Sequence, residues 1–226
     1  DRNFLIFDII SIIKSFDFKY ILIENVPKYL EMYFPKDGEF IQLLDLLELE
    51  LGENYNIIGN VYNAKDYGVP QSRPRAIVKL FKKGINWPEP LKQKLIPLKE
   101  SIGHLPTLRP GDSSYLKWHY AKSQREDLTI ALEHTPSGKS ALKNAVHFPK
   151  NKKGDKVRGF HNTYKRMIWT EPAHARTTYN GSISSHNNVH PGNLLPNGLY
   201  SDPRVLSIHE TLIVSTIDVN TPFPDD

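Results

Sequence analysis

The chain has 226 residues, no cysteine and a formal net charge of +4. The length suits one large or two modest domains, and the missing thiols exclude disulfides, thiolate metal sites and a cysteine nucleophile carried by this sequence. No apolar run is long enough to span a membrane and no signal-peptide pattern is present, so a cytoplasmic, membrane-free protein is expected. The first residue is Asp1 and the pattern opens inside a helix, as expected of a fragment or an excised piece. Charge is uneven. Residues 1–60 hold eleven Asp/Glu against five Lys/Arg, a balance of −6, which against the total of +4 leaves +10 for the remainder. The densest block, Lys139 to Arg166, carries nine Lys/Arg with Asp155 as its one acid. Such a block suits either a polyanionic partner or a solvated lysine-rich surface.

In chain order, residues 3–16 read as a helix. Phe4, Leu5, Ile9, Ile12, Ile13 and Phe16 recur at helical spacing, and Ile6, Phe7 and Ile10 widen the apolar face, as in a helix buried against a sheet. Tyr20-Ile21-Leu22-Ile23 predicts a short, fully buried strand of the parallel type. Glu24 at its C-terminal end either caps the next turn or stands where open α/β sheets place their chemistry. A second helix is expected over Lys36–Leu51, with Phe40, Leu43, Leu44, Leu47 and Leu51 as its stripe and Gly52 as its stop. Tyr55–Tyr62 and Ala76–Phe81 predict two more strands, joined too tightly for a helical crossover and therefore antiparallel. Residues 82–160 change character: seven prolines break any long periodicity, with one short helix expected over Gln124–His134. Near the end, Ser207 and Glu210 have capping-box spacing.

Gln71, Arg73 and Arg75 stand at alternate positions, so in extended chain they would share a face. Two guanidinium forks aimed inward need an anionic partner. All nine histidines lie from His104 onward. The pair His186-x-x-x-His190 has no cysteine or nearby carboxylate to complete a tetrahedral set, so no metal site is expected.

Glu24-Asn25-Val26 after a strand, followed by Gly68-Val69-Pro70-Gln71-x-Arg73-x-Arg75 before another, resembles the signatures of DNA cytosine-C5 methyltransferases. Arg166-x-x-Trp169-x-x-Pro172-Ala173, His190-Pro191 and Arg204-x-Leu206-Ser207-x-x-Glu210 follow in the family's order. The resemblance implies an α/β fold: the second half of a doubly wound S-adenosylmethionine-dependent methyltransferase sheet plus a loop-rich target-recognition domain. Residues 1–83 would be the catalytic-domain portion, 84–200 the target-recognition domain and 201–226 a truncated return segment.

It also implies roles. Family enzymes flip the target base out of the duplex and attack C6 with a cysteine thiolate. Glu24 would then hold the N3 and N4 edge of the cytosine, Arg75 would donate to its O2, and Arg73 and Gln71 would support the carboxylate or the active-site loop. Leu5 would touch the cofactor, S-adenosyl-L-methionine. Lys150, Lys152, Lys153, Lys156, Arg158, Lys165 and Arg166 become candidate phosphate contacts, and Tyr179, Asn180, Ser184, Ser185, His186 and Asn187 candidate contacts to base edges or backbone.

The family's Pro-Cys nucleophile loop and glycine-rich cofactor loop are not in this sequence. The chain is therefore expected to belong to a restriction-modification methyltransferase while being inactive alone. It would bind double-stranded DNA and complete its chemistry with an N-terminal part or a separate catalytic subunit. Two other readings stay open: a non-catalytic DNA-recognition subunit, and an unrelated DNA-binding protein in which Glu24 and Arg75 lie far apart.

Overall fold

A computed structural model describes residues 4–176, 181–184 and 187–222. The chain divides into two compact units, the first Asp1–Asn63 with Pro74–Lys92, the second Ala64–Arg73 with Gln93–Asp226. Residues 64–73, expected with the first domain, group with the second unit, and residues 84–92, expected with the lobe, group with the first.

The first unit begins with helix α1 (Leu5–Ser15), which buries Ile6, Ile10 and Ile13; of the expected stripe Ile13 is buried and Ile9 half-buried, whereas Phe4, Leu5, Ile12 and Phe16 are exposed, so the buried face is rotated toward Ile6 and Ile10. Strand β1 (Tyr20–Asn25) follows. The expected helix over 36–51 is corrected at its start. Residues 33–42 form a hairpin of β2 (Tyr33–Lys36) and β3 (Glu39–Gln42), and α2 occupies Leu43–Leu51 alone. The turn is Asp37-Gly38, both at positive φ (51° and 88°), the pair of conformations a two-residue hairpin turn demands and that Asp-Gly supplies. Phe40, counted as part of the helix stripe, is therefore a hairpin residue and exposed.

Strand β4 (Tyr55–Asn63) precedes a short strand β5 (Gln71–Ser72) that belongs to the second unit, and β6 (Pro74–Lys82) returns to the first. The first unit's sheet has the order β1-β6-β4, and β6 runs antiparallel to both neighbours. The antiparallel β4–β6 ladder agrees with the sequence expectation. The parallel, fully buried assignment for β1 does not: β1 pairs antiparallel with β6, and its residues alternate between exposed and half-buried. The tight β4-to-β6 connection reverses the chain, and β6 then inserts between β4 and β1. Ile21 and Ile23 pack with Ala76, Val78 and Leu80 against α1 and α2, where Leu43, Leu46 and Leu47 are wholly buried. Each such side chain is worth roughly 1.5–3 kcal/mol of burial. The other face carries Leu22 opposite Lys79 and Glu24 opposite Ile77. Among the described residues β1 has one ladder partner and Leu22 is exposed.

In the second unit, β5 pairs in parallel with β7 (Ala173–His174), which groups residues 64–73 with it. Its helices are short: α3 (Leu98–Ile102), α4 (Glu126–Glu133) and α5 (Ile208–Val214). The helix expected near 124–134 is α4, and both bonds of the Ser207/Glu210 capping box are present at α5. Leu98, Ile102, Met167, Ala173, Leu206 and Val214 form one apolar cluster. Beside it lies a wholly buried ionic group. Arg204 meets Glu210 through two bonds of 2.7 and 3.0 Å and Asp202 through one of 2.7 Å. Arg166 donates to the carbonyls of Leu132, His190 and Asp202. Arg204 thus bridges two carboxylates while Arg166 is held by backbone carbonyls, and every charge has hydrogen-bond partners, the condition for burying such groups at tolerable cost. Gly192 (φ 67°) lets the backbone close over this group, because a β-carbon there would stand 2.4 Å from Arg166 Nη1.

Candidate active site and nucleic-acid interface

Glu24 and Arg75 come together. Arg75 Nε lies 2.7 Å from Glu24 Oε1 at the C-terminal end of β1, and Arg75 Nη1 also donates to Pro74 O at 2.8 Å. Register explains the pairing. Glu24 opposes Ile77 across the ladder, so Arg75 is its diagonal neighbour two residues on, within reach of a long side chain. The Glu24 side chain keeps 52% of its surface open and Arg75 24%. An ion pair this exposed is worth at most about 1 kcal/mol, so an incoming hydrogen-bonding ligand can compete for both groups.

Gln71 and Arg73 do not continue that row. Gln71 is buried in the second unit, where Nε2 donates to Val214 O and Ser215 Oγ, both at 3.2 Å, and Oε1 accepts from Arg176 N at 3.3 Å. Arg73 Nη1 donates to Arg176 O at 3.4 Å. The alternation expected from the sequence fails because β5 and β6 belong to different ladders, with Pro74 opening the second.

The basic segment also divides. Lys150 and Lys156 face each other across a bridge and both amino groups lie over the Phe148 ring, at 5.8 and 4.9 Å. Asn151 Oδ1 accepts from the backbone of Lys153 and Asp155, which shapes the hairpin tip. Lys150, Lys152, Lys153, Lys156 and Arg158 are exposed, and Lys165 is half-buried. Arg166 is a correction. It is 0% exposed and its donors are spent on backbone carbonyls, so it cannot contact a phosphate. Burial pulls its pKa down to about 10. Among the candidate base-reading residues, Ser184 is exposed and its Oγ lies 3.0 Å from Ser182 Oγ. The Asn187 amide nitrogen lies 3.1 Å from His174 Nε2. Tyr179, Asn180, Ser185 and His186 lie outside the described residues.

Apart from Arg166, the 166–173 and 190–210 segments have no candidate ligand role in the sequence, and in the structure they serve as scaffold. Trp169 Nε1 donates to Gly192 O at 2.8 Å and its ring meets His190 edge-on. Burial holds His190 down to about 4, while Glu210 stays well below the usual carboxylate range because His119, His190 and Arg204 outweigh its own burial. His190 Nδ1 accepts from Gly192 N at 3.1 Å, as a neutral imidazole does. Among the described residues no group of three or more metal-ligating side chains is arranged to hold a metal, and no helix is long and apolar enough to cross a membrane.

The order of these segments, an α/β sheet ending in a Glu–Arg pair and a loop-rich unit with a basic hairpin, agrees with one family. The family model of the C-5 cytosine-specific DNA methylases matches residues 1–225, and the chain belongs to that family. Among curated relatives, Type II methyltransferase M1.HgaI of Avibacterium volantium is 44% identical over 226 residues, covering 100% of this chain and 63% of that protein. Type II methyltransferase M.MthTI of Methanothermobacter thermautotrophicus is 35% identical over 106 residues, covering 45% of this chain and 30% of that protein. The chain thus spans less than two thirds of these relatives' length. A solved E. coli prophage protein, assigned as a DNA modification methyltransferase, aligns with a TM-score of 0.58 at 15% identity, covering 94% of this chain and 63% of that one, which supports an α/β methyltransferase fold.

Cytosine-C5 methyltransferases use S-adenosyl-L-methionine. Leu5, the residue the resemblance assigned to it, is an exposed aliphatic side chain at the start of α1. One aliphatic side chain does not make a site for a charged sulfonium with nucleoside and amino-acid groups.

Proposed function

We propose that this chain carries the base-holding half of a restriction-modification DNA cytosine-C5 methyltransferase, together with its target-recognition domain. The observation that carries the reading is the open Glu24–Arg75 pair at the end of β1. Cytosine presents an acceptor at N3, a donor at N4 and an acceptor at O2. The Glu24 carboxyl group can hold the N3 and N4 edge, while Arg75 donates to O2. Charge that develops on the ring during attack at C6 is then met by preorganised donors. Gln71 and Arg73 act one step back, as supports of the loop they anchor in the second unit.

The attacking thiolate is not in this sequence, which has no cysteine. The nucleophile is to be supplied by an N-terminal part or a separate chain. The exposed face of β1 and its edge, which has no ladder partner among the described residues, would receive the remainder of a doubly wound sheet. Residues 84–200 form the target-recognition domain in this reading, with Lys150, Lys152, Lys153, Lys156, Arg158 and Lys165 on phosphates and Ser184 and Asn187 near base edges. A cytoplasmic location follows from that role. The absence of cysteine also favours a second reading, a non-catalytic DNA-recognition subunit serving a separate catalytic chain.

The test is methylation of duplex DNA with labelled S-adenosylmethionine. The chain alone should transfer no label. Mixed with a fragment bearing the Pro-Cys loop it should do so, and Glu24→Gln should lower that rate at least a hundredfold. Transfer by the chain alone would overturn the argument from its lack of cysteine. Full activity of the Glu24→Gln mixture would leave the recognition-subunit reading standing.

A further inference from the structure

The outer face of the β1-β6-β4 sheet carries a second charged group besides Glu24 and Arg75. Ala76, Val78 and Leu80 belong to the core, so Arg75, Ile77, Lys79 and Phe81 point to the opposite face of β6. Lys79 stands within that outward row and is nevertheless only 4% exposed. The chain after β6 folds back over it. Trp87 packs edge-on against Tyr20 at 5.2 Å and against Phe81 at 6.3 Å. Glu89 accepts from Lys79 Nζ through Oε1 at 2.7 Å and from the Tyr62 hydroxyl through Oε2 at 2.6 Å. The Lys79 ammonium also lies over the Tyr62 ring, at 5.3 Å, and over the Trp87 ring, at 5.8 Å.

Burial works against the charge on Lys79, but Glu89 and Tyr62 outweigh it and hold the ammonium above its usual pKa. A methionine would fill the same space with no charge to desolvate. What the ammonium adds is a hold on Tyr62. Tyr62 on β4 stands directly opposite Arg75 on β6, and such facing side chains begin about 4.5–5.5 Å apart in an antiparallel ladder. Arg75 therefore stands between Tyr62 on the β4 side and Glu24 on the β1 side. A guanidinium stacks well on a tyrosine ring, so the two neighbours compete for it. In the structure Lys79 lies on the ring, Glu89 takes the hydroxyl, and the guanidinium turns to Glu24, with Nε 2.7 Å from Oε1.

We propose that Lys79 is a positioning residue for the base-holding pair: clamped by Glu89, it occupies the Tyr62 ring and so leaves the Arg75 guanidinium to Glu24. The chemical consequence rests on the methyltransferase reading above, in which Arg75 meets cytosine O2 from beside Glu24. The placement of the guanidinium does not rest on it. Lys79 touches no base itself. An arginine drawn onto Tyr62 would take the O2 donor out of place and leave Glu24 without its cation, and a supporting group of this kind sets how tightly a site keeps its working geometry.

The experiment reads the ion pair through the Arg75 Nε–H resonance in heteronuclear NMR of the full chain, assigned by its loss in Arg75→Lys. An Nε–H held by a carboxylate exchanges slowly with water. Exchange should be slow in wild type and at least tenfold faster in Glu24→Gln and in Lys79→Met. Adding Tyr62→Leu to Lys79→Met should restore slow exchange, because no ring is left to draw the guanidinium away. A merely structural role for Lys79 predicts further loss in that double variant. Unchanged exchange in Lys79→Met, or no recovery in the double variant, overturns the proposal, as does a wild type with no protected Arg75 signal. If Lys79→Met melts below the assay temperature, Glu89→Ala, with and without Tyr62→Leu, decides by the same two readings, since Glu89 is a partly exposed residue. In mixtures with the fragment bearing the Pro-Cys loop, Lys79→Met should lower kcat at least tenfold with KM for duplex DNA unchanged. An unchanged kcat overturns the catalytic consequence. A wild-type mixture that transfers no label overturns the methyltransferase reading, while the NMR result still decides what places Arg75.

Discussion

The first unit keeps its core apolar and its Glu24–Arg75 pair at an open strand end, whereas the second unit folds around two arginines and two carboxylates that water does not reach. The same residue types, Arg and Glu, therefore do opposite work in the two units. An exposed pair contributes little stability and remains available to a ligand. A buried group contributes nothing to a ligand, and removing one member strands the others in a low-dielectric interior. Charge identity alone does not reveal which is which, and Arg166 and Arg75 illustrate it: the first is consumed by carbonyls and the second is presented at the sheet end.

The sharpest way to break this contrast is to compare Arg204→Met with Glu24→Gln. Arg204→Met leaves Glu210 and Asp202 without their shared cation and should cost about 3–5 kcal/mol in urea unfolding. Glu24→Gln should change stability by less than about 1 kcal/mol. Similar losses from the two would show that the burial contrast does not govern stability here.

The next largest effect is with pH. His190 is held down to about 4, below its value in the unfolded chain, so the unfolded state binds the extra proton between about 6.5 and 4. Stability is full above that window and should fall by on the order of 3 kcal/mol as pH drops through it. Asp202 and Glu210 are also lowered, so their contribution persists above the usual carboxylate range and is lost only on further acidification. Urea midpoints of wild type and His190→Gln across pH 7 to 4 check this. An equally steep fall in the variant would assign the effect to other groups, His174 first, because burial lowers it too.

A smaller effect separates exposed lysines from a buried arginine on DNA. Lys152→Ala and Lys153→Ala should each reduce the salt slope of duplex binding by about one unit, with stability changed by less than about 0.5 kcal/mol. Arg166→Met should do the reverse, destabilising the fold without removing a phosphate contact. A lysine pair whose removal leaves the slope untouched would take the hairpin out of the proposed interface.

The smallest expected effect lies at the hairpin turn. Gly38→Ala should cost about 1 kcal/mol by forcing a β-carbon into positive φ, since nothing else stands within 4 Å of that position. A larger loss, read by thermal unfolding, would mean that the turn does more than reverse the chain.

Elements with a strong period were legible. Residues 5–15 are helical because their apolar positions recur at 3–4, and Tyr55–Asn63 and Pro74–Lys82 are strands rich in branched and aromatic residues. The β2–β3 hairpin was not legible because Phe40 falls in phase with the leucine stripe that follows, although Asp37-Gly38 carries a turn signal that points to it. The Ser207–Glu210 cap was legible from spacing, but the salt bridge of Glu210 to Arg204 was not, since a capping glutamate is ordinarily a surface residue. That Glu24 would lie within reach of Arg73 or Arg75 was expected from the family's motif order, and Arg75 makes the ion pair. Its geometry depends on a ladder offset that the sequence does not display.

By itself, then, the sequence determined the periodic elements, the family and the types of charged group available, because these depend on local spacing and on motif order. Tertiary structure decided which charges are open and which are spent. Leu132, His190 and Asp202 contribute carbonyls to Arg166 from 34, 24 and 36 residues away, and Gln71 reaches Val214 across 143. Burial is a property of such distant partners, and the cost of desolvating a charge is settled only when they meet.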